Sequence, residues 1–216
     1  MSLNHKNILI TYGPTWVPID DTRVISNRSS GAMGKLITAE LLSKGARVTV
    51  LQGPITAPLT PSAGLKVINY QFYDELDALL QTTLSAKPDI VIHAAAVSDY
   101  RPQKKSSVKI SSSRKSWQIK LVPTPKLIRN VKRLAPDCIL VGFKLESTRQ
   151  DRRLKQAAGE LLQKGRCDLV LANSLKNGYY GILVDHNGKI LDSARQRKTI
   201  ARKLTNILTT KINKQK

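Results

Sequence analysis

Two serines and two glycines stand directly before a segment with helical periodicity, in the run Ser29-Ser30-Gly31-Ala32-Met33-Gly34. A helix N-terminus exposes backbone N–H groups, and these groups attract anions together with the helix dipole. Gly31 and Gly34 would allow a ligand to approach the backbone closely, and the serine hydroxyls would add hydrogen-bond donors. The run therefore predicts a phosphate-binding turn, although an ordinary serine cap followed by a glycine turn gives the same pattern.

Four further polar residues could take part in the same chemistry. Asp99 follows a buried strand and could hold a ribose hydroxyl or a magnesium ion, or it could cap a turn. Lys109 lies in a Ser/Lys-rich loop, 100–117, and could reach a phosphate, or it could be one solvated lysine among many. Asn27 and Asn173 could orient an amide or a carboxylate, or they could serve ordinary turn chemistry. Neither a dinucleotide fingerprint nor a Walker A loop accompanies these residues.

Apolar runs of strand length alternate with segments of helical period, which is typical of βαβ units with a parallel sheet. We predict a three-layer, Rossmann-like α/β fold, in which a doubly wound, mainly parallel sheet carries helices on both faces and a C-terminal β-hairpin. One domain is expected over residues 1–216. The predicted strands are 7–12, 47–52, 65–70, 89–93, 118–122, 138–143, 168–172, 181–185 and 189–192. The predicted helices are 33–44, 74–84, 125–133, 152–164 and 193–216.

The ends of these strands are small or polar, at 13–15, 53–54, 94–99, 142–143 and 173–174. In an open sheet of this kind the ligand lies outside the carboxyl ends of the strands. We therefore expect these strand ends to converge beside the predicted phosphate-binding turn. Several converging ends indicate a nucleotide site more strongly than any one of them.

The composition limits the class of protein. Hydrophobic residues make up 41% of the 216 residues and charged residues 24%, which is typical of a globular chain. No apolar run reaches the length of a membrane span and no signal-peptide pattern is present, so we expect a cytoplasmic protein without a membrane partner. Cys138 and Cys167 lie in apolar runs and are expected to be reduced core thiols. The spacing of cysteines and histidines predicts no transition-metal site.

The net charge of +21 is compatible with a nucleic-acid partner. The basic residues are spread over the whole chain, however, and only 5% of the residues are aromatic. Recognition of single-stranded nucleic acid usually combines basic residues with aromatic side chains on which bases stack. We therefore expect small anionic substrates and not nucleic acid.

A series of motifs carries a resemblance to a known family. The run G-P-T-x-x-P-I-D-x-x-R-x-I-S-N-x-S-S-G-x-M-G, from 13 to 34, opens the series. G-A-x-V-T at 45–49, G-P at 53–54, A-A-V-S-D-Y at 95–100, V-G-F-K-L at 141–145 and D-L-V-x-A-N at 168–173 follow in the same order. In these segments the sequence resembles the phosphopantothenate–cysteine ligase (phosphopantothenoylcysteine synthetase) family, and its T-P-K and G-F-K-L forms resemble the stand-alone bacterial members.

The resemblance implies a ligase of coenzyme A biosynthesis that joins 4′-phosphopantothenate to L-cysteine. A nucleoside triphosphate, CTP in preference to ATP, would activate the carboxylate as an acyl-nucleotidyl intermediate, with Mg²⁺ on the nucleotide and no fixed protein ligands for the metal. No flavin is expected, because the decarboxylase of the bacterial fusions is absent from this sequence. The resemblance also implies a homodimer, and we expect its interface at the hairpin 181–192.

The resemblance also implies roles for particular residues. Catalytic roles are implied for Asn27, Ala95, Ala96 and Lys109, the last on a flap that closes over the site. Substrate-binding and nucleotide-binding roles are implied for Gly13, Thr15, Ser29, Ser30, Gly31, Gly34, Asp99, Thr124, Pro125, Lys126, Phe143, Lys164 and Asn173. The base of the nucleotide would lie against the segment 124–126 and Phe143.

Two departures from the family pattern leave alternatives open. The flap often has the form K-x-K-K, whereas this chain has Lys109-Ile110-Ser111-Ser112, and Ser174 stands where the family often has aspartate. A paralogue with impaired activity is therefore one alternative. An NAD(P)-dependent Rossmann oxidoreductase is another, although the missing glycine fingerprint does not favour it. A nucleic-acid-binding protein is the third, suggested only by the charge.

Overall fold

The computed structural model describes residues 2–113 and 115–214. Residue 114 of the predicted loop and residues 215–216 of the predicted last helix lie outside the described residues. In chain order the described strands are β1 (Asn7–Tyr12), β2 (Trp16–Pro18), β3 (Val24–Ser26), β4 (Arg47–Gln52), β5 (Leu65–Asn69), β6 (Ile90–His93), β7 (Tyr100–Pro102), β8 (Leu121–Pro123), β9 (Ile139–Glu146), β10 (Leu169–Ser174), β11 (Tyr180–Asp185) and β12 (Ile190–Ala194). The helices are α1 (Ala32–Leu42), α2 (Tyr73–Leu84), α3 (Ile128–Leu134), α4 (Asp151–Gly165) and α5 (Arg197–Lys214).

An eight-stranded sheet forms the centre of the fold, in the order β12-β11-β10-β9-β6-β1-β4-β5. The six strands from β10 to β5 in this order are parallel, and β11 pairs antiparallel with both β10 and β12. The strand order reverses on the two sides of β1, which is typical of a doubly wound sheet. The predicted fold class is confirmed, including the C-terminal hairpin.

Helices cover both faces of the sheet and bury it on each side. On one face α1 and α5 pack together, through residues such as Ile37, Leu41, Leu204 and Leu208. On the other face α2, α3 and α4 bury Leu76, Val131 and Leu154. The central strands are covered on both faces, which explains why they appear in the sequence as continuous apolar runs without alternation.

The bounds of the fully buried strands agree best with the prediction. β1 and β4 have the predicted bounds. The last helix differs from the prediction: it begins at Arg197, four residues later than predicted, because residues 193–194 still belong to β12. The two short ribbons β2–β3 and β7–β8 were not predicted as ribbons. Each of their strands has only three residues, which is too short for a period of two to be recognised. Three of the four strands, β2, β7 and β8, also end in proline, which does not favour a strand prediction.

A close contact between α1 and β1 sets the height of α1 above the sheet. Gly34 faces the Tyr12 side chain so closely that an added Cβ would lie 2.5 Å from Tyr12 Cβ. Gly31, the residue at the N-cap of α1, has a φ of 68°, which favours glycine. These two glycines allow the first turn of α1 to rest on the end of β1.

We predict that Gly34→Ala lowers the free energy of unfolding by at least about 2 kcal/mol, because the new methyl group has no space beside Tyr12. Chemical denaturation with urea measures this change. Gly159→Ala is the matched control, since nothing lies within 4 Å of a Cβ at that position in α4. Alanine should stabilise the control by about 0.5–1 kcal/mol through its helix propensity. Equal stability of Gly34→Ala and the wild type would contradict the contact.

Candidate active site

A cavity of about 900 Å³ lies at the carboxyl edge of the sheet. Its walls are the loop before α1, the loop after β6, the segment before α3 and parts of β9, β10 and α4. These segments meet because β1, β6, β9 and β10 are parallel and end at the same edge. Of the predicted strand ends, those at 94–99, 142–143 and 173–174 contribute to the lining, whereas those at 13–15 and 53–54 lie outside it.

Most of the residues that the sequence singled out line this cavity. They are Asn27, Ser29, Ser30, Gly31, Gly34, Ala95, Ala96, Asp99, Thr124, Pro125, Lys126, Phe143, Lys164 and Asn173. Gly13, Thr15 and Lys109 lie outside the lining. The structure thus brings together segments that are more than 140 residues apart in sequence, and the individual roles stay predictions.

The N-terminus of α1 opens into the cavity. Its N-cap residue is Gly31, no side chain caps the helix among the described residues, and its first turn has no acidic residue. Among the described residues, the one serine hydroxyl that accepts an N–H group there is Ser30 Oγ, and its bond from the Ala32 N–H is weak, at 3.4 Å. The ordinary serine cap that the sequence left open is therefore not formed. The N–H groups of the first turn remain oriented toward the cavity, where an anion could accept from them.

Asn27 joins two walls of the cavity. Its side-chain amide donates to the carbonyl oxygens of Ala96 and Val97, at 3.3 and 3.1 Å. This bridge fixes the loop after β6 against the segment that leads into α1. Because the Nδ2 atom is used in this way, the Oδ1 atom of Asn27 is the part of the side chain left for a ligand.

Gly13 and Thr15 lie beneath the cavity and support it. Both are buried, and Thr15 Oγ1 accepts the backbone N–H of Ser98 at 3.0 Å. Gly13 has a φ of 85°, and a Cβ there would lie 2.9 Å from Gly53 Cα. These contacts hold the ends of β1, β4 and β6 together, and the predicted ligand-binding roles of the two residues stay predictions.

His93 is a site residue that sequence reasoning treated only as part of a buried strand. Its ring lines the cavity, and Nδ1 lies 2.9 Å from Thr11 Oγ1. Thr11 Oγ1 also accepts the Ala95 N–H at 3.3 Å, so we assign its own proton to the bond with Nδ1 and the ring proton to Nε2. Burial lowers the pKa of His93 to about 4, and the ring is neutral near pH 7. The sequence signal that could have identified His93 as a cavity residue is its position at the carboxyl end of a predicted strand.

Asp99 and Lys126 form an ion pair across one end of the cavity. Lys126 Nζ donates to Asp99 Oδ1, and the two side chains are 50% and 64% exposed, respectively. An exposed pair of this kind contributes little to stability. A bound ligand can therefore replace either partner at small cost, which suits residues predicted to contact a nucleotide.

Basic side chains dominate the lining. Besides Lys126 and Lys164, it contains Arg28, Arg129, Lys144 and Arg197, against the acidic Asp99 and Glu160. The arginines were not singled out from the sequence, because no motif distinguishes them among 36 basic residues. The excess of positive charge favours anionic ligands.

The described residues contain no cluster of three or more His, Cys, Asp or Glu side chains that could hold a metal ion.

Cys138 and Cys167 are buried, unpaired thiols, and burial raises their pKa values to about 11 and about 12. The predicted core thiols are confirmed as buried and without a disulfide.

None of the described helices is long and apolar enough to cross a membrane.

Lys109 is exposed on the loop that follows β7. The loop passes beside the β2–β3 ribbon, and Ile110 forms hydrogen bonds with the turn of this ribbon. The predicted reach of Lys109 toward a phosphate therefore requires the loop, or the side chain, to move toward the cavity.

We predict that His93 makes the free energy of unfolding depend on pH. The folded pKa of about 4 lies below the ordinary value of 6.5, so the unfolded chain binds the proton first as the pH falls. Stability should decrease as the pH is lowered from about 7 to 5, by roughly 2 kcal/mol. Urea denaturation at both pH values measures this, and His93→Gln should remove most of the difference. An unchanged pH dependence in His93→Gln would contradict a buried neutral ring.

Over residues 3–215 the chain matches the family described as the DNA/pantothenate metabolism flavoprotein C-terminal domain. The coenzyme A biosynthesis bifunctional protein CoaBC of Thermococcus kodakarensis is 40% identical over 176 residues, which are 81% of this chain and 43% of that protein. The chain thus spans about half the length of the curated relatives it matches.

Solved structures show the same fold. The DNA/pantothenate metabolism flavoprotein from Streptococcus pneumoniae has a TM-score of 0.86 and 28% identity, covering 95% of this chain and 99% of that one. A mutant of Cab2 in complex with phosphopantothenate-cysteine has a TM-score of 0.80 at 21% identity, covering 97% of this chain and 87% of that one. Because the family match extends over nearly all residues, this chain belongs to the DNA/pantothenate metabolism flavoprotein C-terminal domain family.

Proposed function

We propose that this chain joins 4′-phosphopantothenate to L-cysteine in coenzyme A biosynthesis, using a nucleoside triphosphate. The observation that carries the proposal is one basic cavity that contains the uncapped N-terminus of α1, the Asn27 bridge and the Asp99–Lys126 pair. The name of the Thermococcus relative supports the pathway, and the Cab2 complex supports the substrate class. The family motifs in the sequence support the reaction type.

The reaction requires activation of a carboxylate, which is a poor electrophile. In the first step a carboxylate oxygen of phosphopantothenate attacks the α-phosphorus of the nucleotide, the bond to the bridging oxygen breaks, and pyrophosphate leaves. In the second step the cysteine amine attacks the acyl carbon and loses a proton, and the nucleoside monophosphate leaves. The protein must hold two polyanions together and stabilise the charge that develops.

The residues of the cavity suit these tasks. The N–H groups at the N-terminus of α1, with Ser29 and Ser30, would hold phosphate oxygens. Asn27 Oδ1 would face the acyl group from the wall that Ala95 and Ala96 complete. The basic side chains of the lining would balance the remaining phosphate charge, and Mg²⁺ carried by the nucleotide would neutralise part of it.

The nucleotide base would lie at the end of the cavity formed by residues 124–126 and Phe143. Thr124 Oγ1 donates to the Ser98 carbonyl at 2.5 Å, so this segment is held firmly next to Asp99. Phe143 is partly buried and offers an aromatic face. We favour CTP over ATP because of the T-P-K and G-F-K-L motifs. Asp99 would accept a hydrogen bond from the ribose.

The homodimer and the cytoplasmic location also belong to this proposal. The β11–β12 hairpin ends at β12, which forms one edge of the sheet, and Leu191 is exposed there. An edge strand presents unpaired backbone groups to a second copy. The hairpin therefore stays the predicted interface.

The proposal is tested by incubating the protein with phosphopantothenate, cysteine, Mg²⁺ and either CTP or ATP, while pyrophosphate release is followed. We expect steady release with CTP, and without cysteine a single burst that does not exceed the enzyme concentration, because the acyl-nucleotide then accumulates. Omission of phosphopantothenate is the control and should abolish release. Absence of pyrophosphate with both nucleotides would refute the ligase.

We predict that Lys109→Ala reduces kcat at least about 10-fold without changing the melting temperature. An exposed lysine contributes little to folding, whereas a positive charge brought to the transferring phosphate stabilises the transition state. Lys105→Ala is the matched control, since Lys105 is an exposed lysine on the same loop and should leave turnover unchanged. Equal kinetics of the two variants would remove Lys109 from the mechanism.

A further inference from the structure

Asp20 is a buried carboxylate outside the cavity, in the turn between β2 and β3. It is 2% exposed, and one of its oxygens, Oδ1, accepts the backbone N–H groups of Thr22 and Arg23 at 3.0 and 2.8 Å. The Thr22 hydroxyl donates to the same oxygen at 3.1 Å. These bonds are local and form the turn.

The second oxygen of Asp20 reaches a distant segment. Oδ2 accepts from Arg23 Nη1 at 2.7 Å and from the backbone N–H of Ile110 at 3.2 Å. Arg23 Nη1 also donates to the Ile110 carbonyl at 3.1 Å. Both backbone groups of Ile110 are thus held by one ion pair, in which the carboxylate is buried and the guanidinium is partly exposed, and Ile110 directly follows Lys109.

Further contacts fasten the same loop to the ribbon. The Ser106 N–H donates to the Ile19 carbonyl at 3.0 Å, and the Arg23 guanidinium lies 5.4 Å from the centre of the Trp117 ring. Burial disfavours the charge on Asp20, but its hydrogen bonds outweigh this effect and hold its pKa below the usual range. The carboxylate is therefore ionised, and the loop is tied at residues 106, 110 and 117.

The contacts at Ile110 matter for the neighbouring Lys109, whose side chain can turn toward a ligand. Its side chain is exposed, whereas the next residue is bound through its backbone N–H and C=O. The position of the Lys109 Cα is therefore set by the neighbouring bonds, and the reach of its side chain is set with it. Without the two bonds of Ile110, the described part of the loop between Gln103 and Lys120 keeps the Ser106 and Trp117 contacts and the bond at its two ends, where the Gln103 N–H donates to the Lys120 carbonyl, but it loses the contacts next to Lys109.

We infer that Asp20 and Arg23 form a latch that holds the backbone at Ile110 and thereby positions Lys109 for the reaction. The catalytic part of this inference rests on the proposed function, and the structural part does not. Asp20 and Arg23 are positioning residues, because they act through the loop and do not line the cavity.

Asp20→Asn tests the latch with little change in shape. The amide oxygen can still accept the N–H groups of the turn, but the amide nitrogen then faces two donors, Arg23 Nη1 and the Ile110 N–H. The turn should survive while the loop is released. Limited trypsin digestion with mass spectrometry measures the release as cleavage after Lys104, Lys105 and Lys109.

We expect this cleavage to be at least about 10-fold faster in Asp20→Asn than in the wild type, because the loop opens more often. Asp21→Asn is the matched control, since it removes the same charge from the exposed neighbouring residue. Thr22→Ala is the control for the turn, because it removes only a bond to Oδ1. Both controls should be cleaved at the wild-type rate. Unchanged cleavage in Asp20→Asn would overturn the latch, whatever the outcome of the ligase assay.

Pyrophosphate release tests the positioning of Lys109. Asp20→Asn should reduce kcat several-fold with little change in the KM for phosphopantothenate, and it should add nothing to Lys109→Ala in the double variant. Normal turnover in Asp20→Asn with a released loop, or additive losses in the double variant, would overturn the positioning role. If Asp20→Asn does not fold, Arg23→Gln replaces it, because it removes the bond to the Ile110 carbonyl and keeps the carboxylate.

Discussion

A short chain of buried hydrogen bonds holds the cavity together. Thr15 Oγ1 accepts the Ser98 N–H, and the Ser98 carbonyl accepts the Thr124 hydroxyl, at 3.0 and 2.5 Å. All three residues are at most 6% exposed. They belong to three different strand ends, so their bonds fix the relative positions of three walls. Breaking one bond would leave a buried polar group without its partner, which makes the arrangement rigid.

The polar groups above this chain contrast with those within it. Beneath the cavity, hydrogen bonds within the protein satisfy the backbone and the threonine side chains. In the lining, the N-terminus of α1 is uncapped and most charged side chains are basic. The scaffold is thus satisfied internally, while the lining is complete only with a ligand. This division favours an anion of several charges over a neutral molecule as the ligand.

The sequence predicted those parts of the fold whose pattern has one physical cause. β1 and β4 are covered on both faces, and their apolar runs end at the Gly-Pro pairs 13–14 and 53–54, which stop a strand, so their bounds were correct. The β2–β3 ribbon is too short to show a period, and therefore neither it nor its link to the Lys109 loop could be predicted. Thr15 illustrates a second limit. A polar residue at a strand end can contact a ligand or support its neighbours, and only the packing decides between them. The hydroxyl of Thr15 faces Ser98, a contact 83 residues away in sequence.

The basic lining has a consequence for the free protein. Arg28, Lys126, Arg129, Lys144, Lys164 and Arg197 surround one cavity, with Asp99 and Glu160 as its acidic members. Positive charges held together by the fold repel one another. With a net charge of +21, the chain has few acidic side chains that could neutralise the resulting positive potential. The same field attracts polyphosphates from a distance and speeds their encounter with the site. Binding of the proposed nucleotide would relieve this repulsion, so capture of the ligand and stabilisation of the folded state would both result from one electrostatic arrangement.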